Sequence, residues 1–174
     1  MSIPFPYTNE NYCYNIKFGE YKNPHTFSIC PTIKNNGEWV FNGLDKKVTY
    51  NQLDSIILED KAKVLFNVSF LNDKNVSFSC EIDKNGVVIN AQIQNDSEDI
   101  GITFPVFDFD GEKHTKITTK QNSVLVEYEG WVCEYLAQNI TSLEKIFANR
   151  NGLYKGYIVK GKGSASLNVK IYKA

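Results

Sequence analysis

The sequence predicts an all-β protein, an antiparallel two-layer β-sandwich with one short helical segment. The main observation is the alternation of apolar and polar residues between Lys63 and Ile93. Period-two alternation places each apolar set on one face of a strand, and the Asn/Asp/Gly-rich breaks at 72–75 and 83–86 are typical of hairpin turns. The result is an antiparallel meander whose apolar face needs a second layer to cover it. The apolar sets are Val64, Phe66, Val68 and Phe70; Val76, Phe78, Cys80 and Ile82; and Val87, Ile89, Ala91 and Ile93.

The elements before the meander are shorter. Alternation predicts an opening strand at 12–18 and a second strand at 27–33, where Pro31 suggests a sheet edge or a bulge. Short strands are expected at 38–41 and 48–50. The segment Gln52–Leu58 fits either a strand or a short helix.

After the meander, strands are expected at 100–109, 124–128 and 131–135, with a turn at Glu129-Gly130. The apolar spacing in Ser142–Ala148 predicts the helical turn. Two final strands, 152–159 and 165–172, are expected to form a hairpin across Lys160–Gly163. So many short strands with turn signals between them indicate a sandwich or barrel, and no linker is visible, so we expect one domain over residues 1–174.

Composition excludes several classes of partner. The chain has 174 residues with 19 basic and 20 acidic side chains, a net charge of −1, and no Lys-rich cluster. Nucleic-acid binding normally needs a basic face, so no nucleic acid is expected. No apolar run approaches the roughly 20 residues that span a bilayer, and the N-terminus lacks signal-peptide features, so no membrane partner is expected. The chain is then cytoplasmic if complete, or exported if excised from a larger protein.

The cysteines argue against a metal site. Cys13, Cys30, Cys80 and Cys133 are scattered, with no Cys-x-x-Cys pair. This spacing disfavours zinc, and Cys80 shares the phase of its apolar strand. We therefore expect four reduced thiols, no metal and no cofactor.

The densest acidic cluster lies around the end of one predicted strand. On a strand, Asp108 and Asp110 point to the same side, where the two carboxylates could hold calcium or serve as an acid/base pair. Glu112 belongs to the same cluster, and His114 after it fits either a carboxylate–His pair or an exposed loop histidine. The preferred interpretation is an amphipathic strand end with a solvated acidic edge. No nucleophile or metalloprotease motif is present in the sequence, so no catalytic residue is assigned.

Aromatic side chains and the sole arginine complete the candidate ligand-binding set. Trp39 flanks a turn, and Trp39 or Tyr128 could stack on a sugar ring. Trp131 shares strand phase with Cys133 and Tyr135 and is therefore expected in the core. Arg150, the only arginine, could clamp a carboxylate of a ligand or of Asp108 or Asp110. The ligand-binding candidates are therefore Trp39, Arg150, Asp108, Asp110 and Tyr128.

Four segments together carry a resemblance to a known family: 105–111, 126–135, 149–154 and the closing 167–171. They resemble the C-terminal β-sandwich of the heparinase II/III-like (α/α)-toroid polysaccharide lyases and their relatives. The resemblance implies a role beside carbohydrate chemistry. It also implies that the catalytic Tyr, His and Asn or Arg of the family lie in the toroid, so none is carried over to a numbered position here.

The favoured function is therefore a non-catalytic accessory or structural domain associated with polysaccharide processing, with a polysaccharide or a toroid catalytic domain as partner. The alternative is a carbohydrate-binding module that uses Trp39, Tyr128 or Arg150. A small lyase or hydrolase using Asp108, Asp110 and His114 is the third possibility.

Overall fold

A computed structural model describes residues 29–40, 49–70, 74–149 and 152–174. The described residues form thirteen strands. Within these ranges there is no helix, and hence none long and apolar enough to cross a membrane. The strands are β1 (Cys30–Asn35), β2 (Glu38–Val40), β3 (Thr49–Ile57), β4 (Lys61–Ser69), β5 (Asn75–Asp83), β6 (Gly86–Ile93), β7 (Asp99–Phe109), β8 (Lys116–Lys120), β9 (Ser123–Tyr128), β10 (Trp131–Leu136), β11 (Ile140–Asn149), β12 (Gly152–Lys162) and β13 (Ser164–Lys173).

The strands form two antiparallel sheets of unequal size. The smaller sheet has the order β11-β12-β7-β1-β2, and the larger has the order β3-β4-β5-β6-β13-β10-β9-β8. The core lies between them, and its largest fully buried side chain is Phe104 of β7. The predicted all-β, two-layer sandwich is confirmed.

The predicted meander is β4-β5-β6. Phe66 pairs with Phe78, which pairs with Ala91, while Ile89 lies one pair further along the same face, opposite Cys80. Phe78 and Ile89 are buried as expected, whereas Phe66 is half-buried and packs against the same core. The three residues therefore share one apolar face.

In two segments the structure decides or corrects the secondary structure that the sequence predicts. Residues 52–57 of the ambiguous segment belong to strand β3, which ends before Leu58. The helical segment predicted at Ser142–Ala148 is wrong, because these residues belong to β11. The cause is an irregularity in the pairing of β11 with β12 between Ser142 and Ile146, where Glu144 has a left-handed φ of 51°. Inserted residues shift the side-chain phase, so apolar residues spaced by three arise without a helix.

The predicted final hairpin is also wrong. β12 pairs with β11 and β7 in the smaller sheet, while β13 pairs with β10 and β6 in the larger one. Only Gly163, with a φ of 66°, separates the two strands. Its N–H donates to the Glu98 carbonyl (2.9 Å), and its carbonyl accepts from the Ile93 N–H (2.9 Å). The chain thus crosses between sheets at this glycine instead of turning back within one.

The start of the described chain clarifies the position of Pro31. Pro31 lies in β1 opposite Ile102 of β7, in the stretch before Ile33–Asn35 pairs with β2. β1 as a whole therefore lies between two strands, although Pro31 itself precedes the part that β2 covers. The predicted strand at 12–18, together with Cys13 and Arg150, lies outside the described residues.

A row of apolar side chains on one face of the larger sheet runs from the buried core to the exposed edge strand. Ile57, Ala62, Ile82 and Val87 are successive cross-strand partners on β3 to β6, and Val169 of β13 continues the row. Cross-strand partners share one face of a sheet. Val169 is buried, whereas Ile82 is 47% and Ile57 80% exposed. The apolar face therefore continues to the edge strand, beyond what the described part of the smaller sheet covers.

The described cysteines are not joined by disulfides. This holds for Cys30, Cys80 and Cys133. Burial raises the pKa of the Cys80 and Cys133 thiols, which favours the protonated and less reactive form. That all four cysteines are reduced thiols stays a prediction.

Candidate functional site

The candidate site lies where β7 ends, and a bulge there positions its first carboxylate. Leu153 pairs with Phe109 and Tyr154 with Phe107, so Asp108 is the extra residue of β7. Bulges re-aim side chains and are frequent near functional sites. The Asp108 side chain is largely buried, with its Oδ1 3.1 Å from the Lys155 Nζ.

His114 lies on the other side of the same carboxylate. Its Nδ1 is 3.8 Å from the Asp108 Oδ1, and its ring stacks on Phe109 at 4.5 Å between centroids. The side chain is otherwise exposed to solvent. His114 is therefore both an exposed loop histidine and a neighbour of the Asp108 carboxylate, so the structure combines the two alternatives that the sequence left open.

Asp110 holds together the turn that follows β7. Its Oδ1 accepts hydrogen bonds from the backbone N–H groups of Glu112 (2.6 Å) and Lys113 (2.7 Å). Its Oδ2 accepts a hydrogen bond from the Tyr128 hydroxyl at 2.5 Å. Gly111, at a φ of 104°, supplies the backbone conformation that L side chains rarely adopt. One carboxylate thereby ties the turn to β9 of the other sheet.

The hydrogen bond between the Tyr128 hydroxyl and Asp110 moves the pKa values of the two groups apart. Hydrogen bonds from the Tyr128 hydroxyl and from the Lys113 and Glu112 amides lower the Asp110 pKa from 3.8 to about 2. The same Asp110 bond raises the Tyr128 pKa from 10.0 to about 12. General acid–base catalysis works best with a pKa near the operating pH. Both groups are far from neutrality, which suits a fixed structural link between the sheets.

The substitution Tyr128→Phe tests this link. We expect the Asp110 pKa to rise toward 3.8, because its largest stabilising hydrogen bond is removed. A depressed carboxyl pKa contributes stability above pH 3.8 that is lost as the pH falls toward 2. Urea unfolding should therefore show a Tyr128→Phe defect at pH 6 that shrinks between about pH 4 and 2. Carboxyl NMR titration gives the pKa directly, and an unchanged Asp110 value would contradict the bond.

Aromatic rings fill the space between the two carboxylates and β12. Phe107 packs edge-on against Tyr128, with centroids 5.4 Å apart, and at 5.3 Å against Tyr154. Aromatic pairs at such distances add about 0.5–1.5 kcal/mol beyond area burial. The Tyr128 ring is therefore held by packing against Phe107 as well as at its hydroxyl by Asp110.

The structure brings three of the five candidate ligand-binding residues together. Asp108, Asp110 and Tyr128 lie around the end of β7, and each carboxylate has its own set of protein partners. Trp39 is half-buried on β2, the edge strand of the smaller sheet, beside Lys34 near the opposite end of β7. Arg150 lies outside the described residues, so its role as a clamp stays a prediction. Across the described ranges, no group of three or more His, Cys, Asp and Glu side chains is arranged to hold a metal ion.

Sequence reasoning missed Lys155 and misplaced Trp131. Lys155 is a lone charge in the apolar run of β12, a pattern that signals a buried counter-charge such as Asp108. Trp131 was expected in the core because it shares the phase of Tyr135. Tyr135 is buried, but Trp131 begins its strand at the end of the sheet and is 50% exposed, with the Lys173 Nζ 5.8 Å from its ring centroid.

Comparison with known proteins reveals a likeness of fold. No protein-family profile matches the chain, and no curated protein sequence matches it. Among solved structures, heparan sulfate lyase HepC from Pedobacter heparinus matches with a TM-score of 0.57 and 8% identity, over 72% of this chain and 22% of that one. A HepC mutant matches equally well, with a TM-score of 0.57, 9% identity and the same two coverages. A heparinase III gene product matches with a TM-score of 0.55 and 8% identity, over 74% of this chain and 24% of that one.

These matches show which class of fold this chain has. At 8–9% identity, the chain shares the architecture of a β-domain found in heparinase-type lyases. It spans less than a quarter of the length of each of these enzymes. The likeness agrees with the resemblance noted in the sequence and carries no residue role from the lyases to this chain.

Proposed function

We propose that this chain is a non-catalytic accessory β-sandwich domain associated with polysaccharide processing. The observation that carries the proposal is the fold likeness, which covers 72% of this chain and 22% of heparan sulfate lyase HepC. A domain of that size, beside a much larger catalytic portion, suits a supporting role. The structural link between Asp110 and Tyr128 agrees with it, because it fixes these groups far from a catalytic pKa.

The partner that fits this role is a larger catalytic domain, and the apolar row from Val87 to Ile57 is the surface that suits it. Soluble monomers rarely expose contiguous apolar patches, and such patches commonly mark protein interfaces. Here the row continues the core outward to an 80%-exposed Ile57 on an edge strand. A domain that packs on this row would extend the core and also cover the edge of β3.

Turnover assays on the purified chain test the proposal. We expect no new reducing ends when the chain is incubated with heparan sulfate, because the two candidate carboxylates, Asp108 and Asp110, are engaged in structural contacts. The alternative of a small lyase or hydrolase predicts turnover that Asp110→Ala abolishes while the circular dichroism spectrum is retained. Such turnover would overturn the accessory role. The matched control is Glu112→Ala, which removes a neighbouring exposed carboxylate.

A further inference from the structure

The outer face of the larger sheet carries a second surface with chemistry of its own. Asn67, Ser77 and Gln92 are successive cross-strand partners on β4, β5 and β6. They alternate with buried residues of these strands and therefore point away from the core. The row consists of uncharged side chains that both donate and accept hydrogen bonds.

This row forms one wall of a cavity of about 450 Å³. The opposite wall comes from the connection between β6 and β7, residues 94–98. The volume lies within the range of about 300–1,000 Å³ that is typical of ligand sites. We call the cavity the amide groove, because five carboxamides and one hydroxyl line it: Asn67, Asn75, Gln92, Gln94, Asn95 and Ser77.

The loop wall of the amide groove is held by hydrogen bonds. The Asn95 Oδ1 accepts from the Ser97 N–H (3.1 Å) and hydroxyl (2.7 Å), and the Glu98 N–H donates to the Asn95 carbonyl (3.1 Å). The Glu98 carbonyl in turn accepts from the Gly163 N–H (2.9 Å), where the chain crosses between sheets. The wall is therefore shaped before any ligand arrives, which lowers the entropic cost of binding.

The charges in the amide groove neutralise each other. The Lys74 Nζ lies 2.5 Å from the Glu98 Oε2, and both side chains are partly buried. The Lys74 ammonium is therefore already paired with Glu98 and is not available to bind a polyanion. Apart from Ile93, what remains is a set of amides and a hydroxyl, which matches a ligand rich in neutral donors and acceptors.

We propose that the amide groove binds an uncharged polysaccharide. Sugar hydroxyls are paired donors and acceptors, as carboxamides are, so several hydrogen bonds can form along the row without any charge to desolvate. This inference deepens the proposed function, because it assigns the accessory domain a neutral glycan and a surface for it. The two remain separable, since turnover would overturn the accessory role while loss of glycan binding would overturn only the groove.

Affinity gel electrophoresis with dextran, xylan and galactomannan tests the groove, with heparan sulfate as the anionic comparison. We expect retardation by at least one neutral polysaccharide, unaffected by salt, and less by heparan sulfate. Gln92→Ala and Asn67→Ala should each weaken that binding about 3- to 10-fold, the loss of one or two net hydrogen bonds. Asn90→Ala is the matched control, because Asn90 is an exposed amide of the same strand and face that does not line the groove.

Each outcome decides the proposal. Retardation that falls in both groove variants and persists in Asn90→Ala supports it. The proposal is overturned if none of the three neutral polysaccharides retards the chain. It is likewise overturned if heparan sulfate alone does so in a salt-sensitive manner, or if Asn90→Ala weakens binding as much as the groove variants do. Circular dichroism and urea unfolding of each variant exclude loss of folding as the cause.

Discussion

Phe104→Ala is expected to destabilise the protein by about 3–5 kcal/mol, the range for truncation of a large buried aromatic residue. Phe104 is fully buried, and its ring stacks on Tyr135 at 4.8 Å and on Tyr157 at 5.7 Å between centroids. Tyr135 belongs to the larger sheet and Tyr157 to the smaller one. The truncation therefore removes an aromatic contact between the layers as well as apolar volume. Urea unfolding monitored by tryptophan fluorescence measures the loss.

The matched control is Ile57→Ala, which also truncates an apolar side chain of a strand. Ile57 is 80% exposed, so its change is expected to stay within about 0.5 kcal/mol. A loss below about 1 kcal/mol for Phe104→Ala would mean that the interface between the two sheets is not the core.

Gly163→Ala is expected to destabilise the protein by about 2–4 kcal/mol, through two separate costs. Gly163 has a φ of 66°, where an L residue costs about 1–2 kcal/mol. An added Cβ would also lie 2.6 Å from the Asp96 Cα and 2.9 Å from the Asp96 Oδ1. Because Cα belongs to the backbone, it cannot rotate away, and the sheet crossing or the 94–98 loop must shift.

Gly130→Ala separates these two costs. Gly130 also has a positive φ, 79°, but no atom lies within 4 Å of the position of an added Cβ. We expect this variant to lose only about 1–2 kcal/mol, the backbone cost. Thermal unfolding of both variants measures the difference. Equal losses would show that contact with Asp96 contributes nothing.

The sequence predicts most of the strands because alternation is a local signal. The apolar residues of β5 alternate with polar ones without interruption, and the strand lies where the sequence predicts it. They are Val76, Phe78, Cys80 and Ile82. β8 was missed because its five residues include one apolar side chain, Ile117. β11 was taken for a helical turn because its irregular pairing breaks the alternation. Local patterns therefore identify regular strands and fail where a strand is short or bulged.

Sheet membership and the candidate site depend on long-range contacts that the sequence does not display. The Lys160–Gly163 segment has the residues of a hairpin turn, but nothing local indicates that β12 and β13 join different sheets. The Asp110–Tyr128 bond joins residues 18 positions apart on facing sheets. Both residues were named as candidates, yet their pairing needed the fold. The amide groove was missed because its row comes from the polar half of the meander, the half that alternation treats as solvent-facing.

The position of β13 within the larger sheet has a consequence for biosynthesis. β13 lies between β6 and β10, although it is the last of the thirteen strands along the chain. Until it has been translated, β3–β6 and β8–β10 are two separate pieces, and β6 and β10 each present an open edge toward the other. Open edges can pair with other chains, and long-range pairing is slow. The nascent protein therefore passes through a stage in which both edges are open, and the insertion of one strand ends that stage for both pieces at once.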